Sequence, residues 1–194
     1  MKNIRKRFFV LAVLVLLGTI VGQQTLAYFT AEETARNVII SGGVGIVIDE
    51  YQEVDGELTA YPDEPIKVMP ATTVSKVVKM HSEGNDAYVR ARYEVIVKNA
   101  QGEVVPTPDT IVVKVNGEAW EMKEEGDPWY YAEDVLKAGE ESEFFMDSVE
   151  FKPELDNNYQ NHTIEVMIYA QAVQAANNGD SAKDAAGWPE EIAE

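Results

Sequence analysis

Apolar and polar residues alternate with a period of two through most of the chain after residue 38, a pattern that predicts β-strands. The clearest case is Ala87–Lys98, where apolar side chains occupy one face and Arg90, Arg92 and Glu94 lie on the other. A strand of this kind is typical of an antiparallel sheet with one face in the core and one in solvent. We therefore expect a solvated outer face at these charged residues.

Similar runs predict further strands at residues 38–40, 44–48, 74–80, 110–115, 118–122, 129–136, 142–151 and 162–175. Asn116-Gly117 lies between two of these runs and favours the tight turn of a β-hairpin. Ala138-Gly139 marks another turn, and residues 53–70, with three prolines, predict a loop or an edge segment. Short turns and the lack of a convincing helix predict an all-β domain over residues 28–175, a jelly-roll-like antiparallel β-sandwich.

The two ends of the chain differ from this pattern. Residues 1–7 carry four basic residues and no acid, and an apolar run follows at 8–21. Small residues at Thr25 and Ala27 complete the order of a secretory signal peptide, so we expect residues 1–27 to be cleaved off after Ala27. The alternative is an uncleaved anchor, but the apolar run is shorter than the roughly 20 residues that span a bilayer.

Residues 176–194 are rich in Ala, Asn, Asp and Gly and form the predicted C-terminal tail. Two interpretations of this tail stay open. Trp188 either packs back on the domain, or the tail is a partly disordered end.

Composition narrows the classes of function. The chain contains 16 basic and 34 acidic residues and no cysteine. Removal of residues 1–27 leaves 12 basic and 34 acidic residues, a net charge of −22, which excludes a phosphate-binding surface of the nucleic-acid type. Without cysteine the chain forms no disulfide and no thiolate metal site, so an exported domain must be stabilised by its hydrophobic core.

Candidate catalytic chemistry is sparse. His81 and His162 have no partner at the spacing of a metal site, and the chain contains no zinc-hydrolase motif and no nucleophile elbow. The abundant carboxylates favour a solvated acidic surface, and we predict no catalytic residues and no cofactor. Acidic clusters at 49–55 and 156–158 offer oxygen ligands suited at most to weak surface Ca²⁺ binding.

The segment after the predicted cleavage point is extended and apolar. Its candidate residues are Tyr28, Phe29, Val38, Ile39 and Ile40. These residues form either the first strand of the chain's own sheet or a donor strand that pairs with the open edge of a neighbouring copy. The two interpretations are compatible, because the same strand can serve within one molecule and be exchanged between molecules.

Several ordered motifs resemble the TasA/camelysin family of secreted bacterial proteins. They are the TLA-YFT junction at 25–30, VGIVIDE at 44–50, PATTVSKVVKMHSEG at 70–84, GNDAYVR at 84–90, the WYY pattern followed by Leu-x-x-Gly-Glu at 129–140, and the closing AQAVQA at 170–175. The resemblance covers most of residues 10–176 and implies a jelly-roll sandwich in the cell surface or biofilm matrix of a bacterium. It also implies processing by the signal peptidase SipW, with only transient membrane contact.

The same resemblance implies a structural function. Family members of the TasA type build matrix fibres by passing an N-terminal strand to the next subunit, which corresponds here to residues 28–40. The partners expected are further copies of this chain or related matrix subunits, and not nucleic acid.

Two other functions stay open at this point. Camelysin carries a metallopeptidase label, although no zinc ligands stand here in a recognisable order. A non-polymerising surface binding module would instead expose an aromatic cluster, for which Trp120, Trp129 and Tyr130 are candidates. Because aromatic side chains dominate protein cores, we predict that these three belong to the core.

Overall fold

The computed structural model describes residues 29–33, 39–40, 44–155 and 159–189. These residues form thirteen β-strands in two sheets, which confirms the predicted antiparallel β-sandwich. The first six strands are β1 (Phe29–Glu33), β2 (Ile39–Ile40), β3 (Ile46–Val54), β4 (Glu57–Ala60), β5 (Ile66–Val68) and β6 (Thr72–Ser82). The other seven are β7 (Ala87–Lys98), β8 (Val104–Val105), β9 (Ile111–Val115), β10 (Trp120–Met122), β11 (Tyr130–Ala132), β12 (Met146–Phe151) and β13 (Thr163–Gln174).

The larger sheet has the strand order β10-β11-β7-β13-β1-β5, with β2 also paired to β13 and β8 to β7. The smaller sheet has the order β4-β3-β6-β12-β9. Most neighbours are antiparallel, whereas β1 and β2 run parallel to β13. Successive strands often lie in opposite sheets, as from β4 to β5, β5 to β6 and β12 to β13, so the chain wraps around its core as in a jelly roll.

The pair β7–β13 forms the centre of the larger sheet. Its ladder runs without interruption from Ala87 opposite Gln174 to Lys98 opposite Thr163. Alternate side chains of both strands point into the core, as the period of two predicts. They meet the inward side chains of the smaller sheet, of which the largest fully buried ones are Met80, Met146 and Phe151.

The predicted hairpin at Asn116-Gly117 is wrong. β9 lies at the edge of the smaller sheet and β10 at the edge of the larger one, so the chain changes sheets here. The Asn116 carbonyl accepts hydrogen bonds from the amides of Ala119 (3.3 Å) and Trp120 (3.0 Å), and neither Asn116 nor Gly117 has a positive φ. Burial of Trp120 between the sheets outweighs the local turn preference of the dipeptide.

The tight hairpin lies instead at Asp55-Gly56, where φ is 53° and 85°. It joins β3 to β4, with Val54 paired to Glu57 across the turn. Residues 53–70 therefore contain two edge strands, β4 in the smaller sheet and β5 in the larger, which confirms the edge interpretation.

Residues 176–189 form a C-terminal cover over the outer face of the larger sheet. The Tyr88 hydroxyl donates to the Gly179 carbonyl at 3.0 Å, and Trp188 packs edge-on against Tyr131 at 5.8 Å. The Arg90 guanidinium lies between the rings of Trp129 (4.4 Å) and Trp188 (4.8 Å). Trp188 thus packs back on the domain, and the expectation of a solvated outer face at Arg90 is wrong because this cover lies over it.

Candidate functional site

The candidate site is a slot in the larger sheet that strand β1 fills. β1 runs parallel to β13 on one side, with Thr30 opposite Thr163 and Glu33 opposite Val166. On its other side it runs antiparallel to β5, with Thr30 opposite Lys67. A strand near the start of the chain is therefore hydrogen-bonded along both edges, like an interior strand, although its neighbours come from the middle and the end of the sequence.

The predicted donor residues lie in two places along β13. Phe29 begins β1, whereas Ile39 and Ile40 form β2, which pairs with Gln171 and Ala172 farther along the same edge of β13. Tyr28 and Val38 lie outside the described residues, as do the predicted cleavage residues Thr25 and Ala27. Within this chain β1 and β2 thus complete the chain's own sheet, one of the two arrangements that the sequence allowed.

The wall of the slot on the β13 side belongs to the main core. Ile164 is completely buried and Val166 is 6% exposed, and both pack in the cluster that fills the space between the sheets. Backbone groups beside such side chains are costly to leave without hydrogen bonds. An empty slot would therefore be unfavourable along this edge, and the site favours occupation by an extended strand.

The opposite wall is β5, a strand of three residues that was not predicted as a separate element. Val68 is buried in the main core and Ile66 packs against it, while Lys67 points to solvent. The chain enters β5 from the smaller sheet through 61–65 and returns through a turn at Ala71, whose φ is 59°. The Thr72 hydroxyl donates to the Met69 carbonyl at 2.5 Å and closes that turn.

The aromatic candidates for a surface binding site are part of the packed interior. Trp120 is 1% exposed and meets Phe145 edge-on at 5.2 Å. Trp129 is 5% exposed beneath Arg90, and Tyr130 packs edge-on on Phe145 at 5.7 Å. The predicted burial is confirmed for Trp120 and Trp129, and Tyr130 is half-buried against the main core, so these residues do not form an exposed aromatic cluster.

The candidate metal ligands do not converge. His81 lies one residue before the end of β6, near the start of β7. His162 precedes β13 and lies near the end of β7, at the opposite end of that twelve-residue strand. Along β3, Glu50 is ion-paired with Lys76, while Asp49 pairs in register with Lys79. Within the described parts of the chain, no three His, Asp or Glu side chains are arranged to hold an ion, and residues 156–158 lie outside those parts.

One buried charge was not predicted as a feature. The ammonium of Lys76 is 3.0 Å from the Glu50 carboxylate and 4.3 Å from the centre of the Tyr61 ring, and its side chain is only 3% exposed. Burial lowers the pKa of Lys76 to about 8, against the opposing effect of Glu50, and burial also raises the pKa of Tyr61 to about 12. The alternation Val74, Lys76, Val78 was the sequence signal, since it places Lys76 on the inward face.

A separate cleft of about 470 Å³ opens at the end of the sandwich beside β10 and β11. It is lined by the buried side chains of Trp120 and Leu136 and by the exposed residues Asp134, Glu140 and Glu143. Lys137, which also lines the cleft, is ion-paired with Asp86 at 2.8 Å. The surplus of carboxylates makes this cleft unfavourable for an anionic ligand.

The described residues include no helix that is long and apolar enough to cross a membrane.

Among the described residues, the slot between β13 and β5 is the site whose shape points to an occupant, and that occupant is an extended strand. Comparison of the chain with protein-family models, with characterised proteins and with solved structures found no match in any of the three.

Proposed function

We propose that this chain is a secreted structural protein of the bacterial cell surface or biofilm matrix, which self-associates by passing its N-terminal strand to the next copy. One observation carries the proposal: β1 fills a slot between two strands that are distant from it in sequence. A strand from a second copy would form the same backbone hydrogen bonds in the same slot. Exchange between copies therefore changes the connection between strands and not the pairing itself.

The position of β1 at the end of the exported chain supports exchange. Cleavage after Ala27 would leave Tyr28 as the first residue, one residue before β1 begins. A terminal strand can leave its slot and enter another without the rest of the domain unfolding. An internal strand would have to carry a loop on each side through the same movement.

The competition between pairing of β1 within its own molecule and its exchange between molecules depends on the protein concentration. Within one molecule the tether between β1 and the domain keeps the effective concentration of the strand high. Between molecules, growth requires that protein concentration and reduced charge repulsion overcome this advantage. The net charge of −22 that remains after cleavage opposes association, so export at low concentration would favour single molecules.

The test compares two purified forms, one beginning at Tyr28 and one beginning at Ser41, by electron microscopy over a range of salt and pH. We expect filaments from the first form and single molecules from the second. Addition of a synthetic peptide of residues 28–40 to the first form should shorten the filaments, because the peptide fills the slot at the growing end. If both forms stay monomeric under every condition, the proposal is wrong.

A further inference from the structure

The second wall of the slot, β5, depends on β1 for its place in the sheet. Among the described residues its one strand partner is β1, to which it pairs through three residues, Phe29 with Val68, Thr30 with Lys67 and Ala31 with Ile66. Without β1, the backbone groups of β5 that face the slot would lose these partners. They would then face the equally unpaired groups of β13 across the empty slot.

The directions of the three strands allow another pairing. β1 is parallel to β13 and antiparallel to β5, so β5 is antiparallel to β13. Thr30 lies opposite both Lys67 and Thr163, and Ala31 lies opposite both Ile66 and Ile164. β5 therefore already stands in register with β13, one strand farther out. Antiparallel pairs are slightly more stable per residue than parallel ones, so direct pairing of β5 with β13 would satisfy both edges.

We propose that β5 is a closing strand: when β1 is absent from the slot, β5 moves inward by one strand spacing, about 4.8 Å, and pairs with β13. A movement in the plane of the sheet keeps Val68 and Ile66 on the core side, where they lie now. The connecting residues 61–65 and 69–71 absorb the displacement. The unfilled edge of β13 is thereby covered, as proteins commonly do with open sheet edges.

As a regulator of assembly, the closing strand rests on the proposed function, because an incoming donor strand would have to displace β5. Closure itself is a property of a single chain. Closure protects the edge of β13 at the empty slot against pairing with other extended segments. It also means that a donor strand enters by exchange with β5 and not by occupying an open groove.

The absence of cysteine makes closure measurable by engineered cross-links. Lys67 is exposed and Thr163 half-buried, and in the present structure one strand lies between them. Two strand spacings place them roughly 9.6 Å apart, beyond the Cα separation of about 7 Å that a disulfide tolerates. After closure they would be direct neighbours. The pair Lys67→Cys/Thr163→Cys therefore reports the closed state.

The slot is emptied in the chain beginning at Tyr28 by Thr30→Pro/Ala31→Pro. Two successive prolines remove backbone donors toward both neighbours of β1, because successive residues of a strand point their amides in opposite directions. The matched control is Thr30→Val/Ala31→Val, which keeps a strong strand-forming sequence. A second control, Lys98→Cys/Thr163→Cys, joins strands that are direct neighbours and reports that the central sheet is folded.

At protein concentrations where non-reducing gels show only monomers, we expect the 67–163 disulfide to form about ten times faster in the proline variant than in the valine variant. The 98–163 disulfide should form equally in both. Addition of a peptide of residues 28–40 should slow the 67–163 reaction in the proline variant. Equal 67–163 rates in the two variants, with the 98–163 control intact, would overturn the proposal.

The outcome is separate from that of the fibre test. A chain that closes but forms no filaments would leave the closing strand standing and the proposed function wrong. Filaments without closure would support the proposed function and overturn the closing strand. If the proline variant also lost the 98–163 cross-link, the central sheet itself would require β1, and the proposal would fail because β5 would have no folded edge to join.

Discussion

At the scale of single residues, the buried Lys76 shows how the sandwich accommodates a charge. Its ammonium is held between a carboxylate and an aromatic ring, two groups that both attract a cation. Burial nevertheless lowers its pKa to about 8, which means that desolvation outweighs these attractions. Keeping Lys76 protonated therefore costs the folded chain stability, and the pH dependence of unfolding should reveal that cost.

The first prediction concerns this pH dependence. Between the folded pKa of about 8 and the ordinary value of 10.5, unfolded chains hold more protons at Lys76 than folded chains, so the free energy of unfolding should rise with pH. Above pH 10 the trend should reverse at Tyr61, whose pKa is raised from 10.0 to about 12, because the folded chain then holds more protons. Urea unfolding of the native chain and of Lys76→Met should show the rise only in the native chain. The same change of unfolding free energy with pH in both chains would show that Lys76 is not its source.

The second prediction separates the stability contributed by the Lys76–Glu50 ion pair from that contributed by each side chain alone. Lys76→Met should destabilise the chain by about 3 kcal/mol, because it leaves the Glu50 carboxylate, 11% exposed, without its cation. The double variant Lys76→Met/Glu50→Leu should recover most of that loss. Lys114→Met is the control, since it removes an ion pair with Glu150 near the surface and should cost under about 1 kcal/mol. A double variant as unstable as Lys76→Met alone would show that the loss arises from packing.

At the scale of elements, two turns show whether the local sequence or the tertiary position determines the backbone conformation. The third prediction is that Gly56→Ala destabilises the chain by about 1 kcal/mol or more, because φ is 85° there and a side chain disfavours that conformation. Gly117→Ala should change stability by less than about 0.5 kcal/mol, since that glycine has open space and no positive φ. Thermal unfolding of the two variants is the measurement. Equal losses would mean that the Asn116-Gly117 turn is strained after all.

The C-terminal cover is the second element whose attachment can be tested. Trp188→Ala removes the ring that stacks on Arg90 and packs against Tyr131, so we expect residues 176–189 to detach before the sandwich unfolds. Hydrogen exchange should accelerate at least about tenfold in the cover while the β7–β13 ladder keeps its protection. In Trp188→Phe, which retains an aromatic ring, hydrogen exchange in the cover should be faster than in the native chain and slower than in Trp188→Ala. Unchanged exchange in the cover of Trp188→Ala would show that its other hydrogen bonds suffice.

At the scale of the whole molecule, the proposed assembly should depend on charge. Removal of residues 1–27 leaves a net charge of −22 on each copy, and repulsion between copies is screened over about 10 Å at 0.1 M salt. We expect filament growth from the Tyr28 form to accelerate with added salt, at lower pH and with divalent cations. Light scattering at matched protein concentration gives the rates. Growth indifferent to all three conditions would show that charge has no part in control.

Much of the fold could be predicted from residue patterns. The alternation in Ala87–Lys98 and in residues 162–175 is a local property of the sequence, and both strands stand where it predicted them, although Thr163–Gln174 is buried on both faces. Lys76 and β5 were missed for different reasons. A lysine in an apolar alternation is normally expected to reach solvent, and a strand as short as Ile66–Val68 between prolines carries too few residues to show a period.

By itself the sequence determined that this chain is an all-β domain and which residues alternate between the faces of its strands, because these properties follow from neighbouring residues. Only the tertiary structure decided that Asn116-Gly117 joins two sheets, that the C-terminal cover lies over Arg90, and that β1 stands between β13 and β5. The physical reason is that backbone hydrogen bonds between strands are nearly independent of side chains. The choice of partner therefore depends on how distant apolar faces pack together.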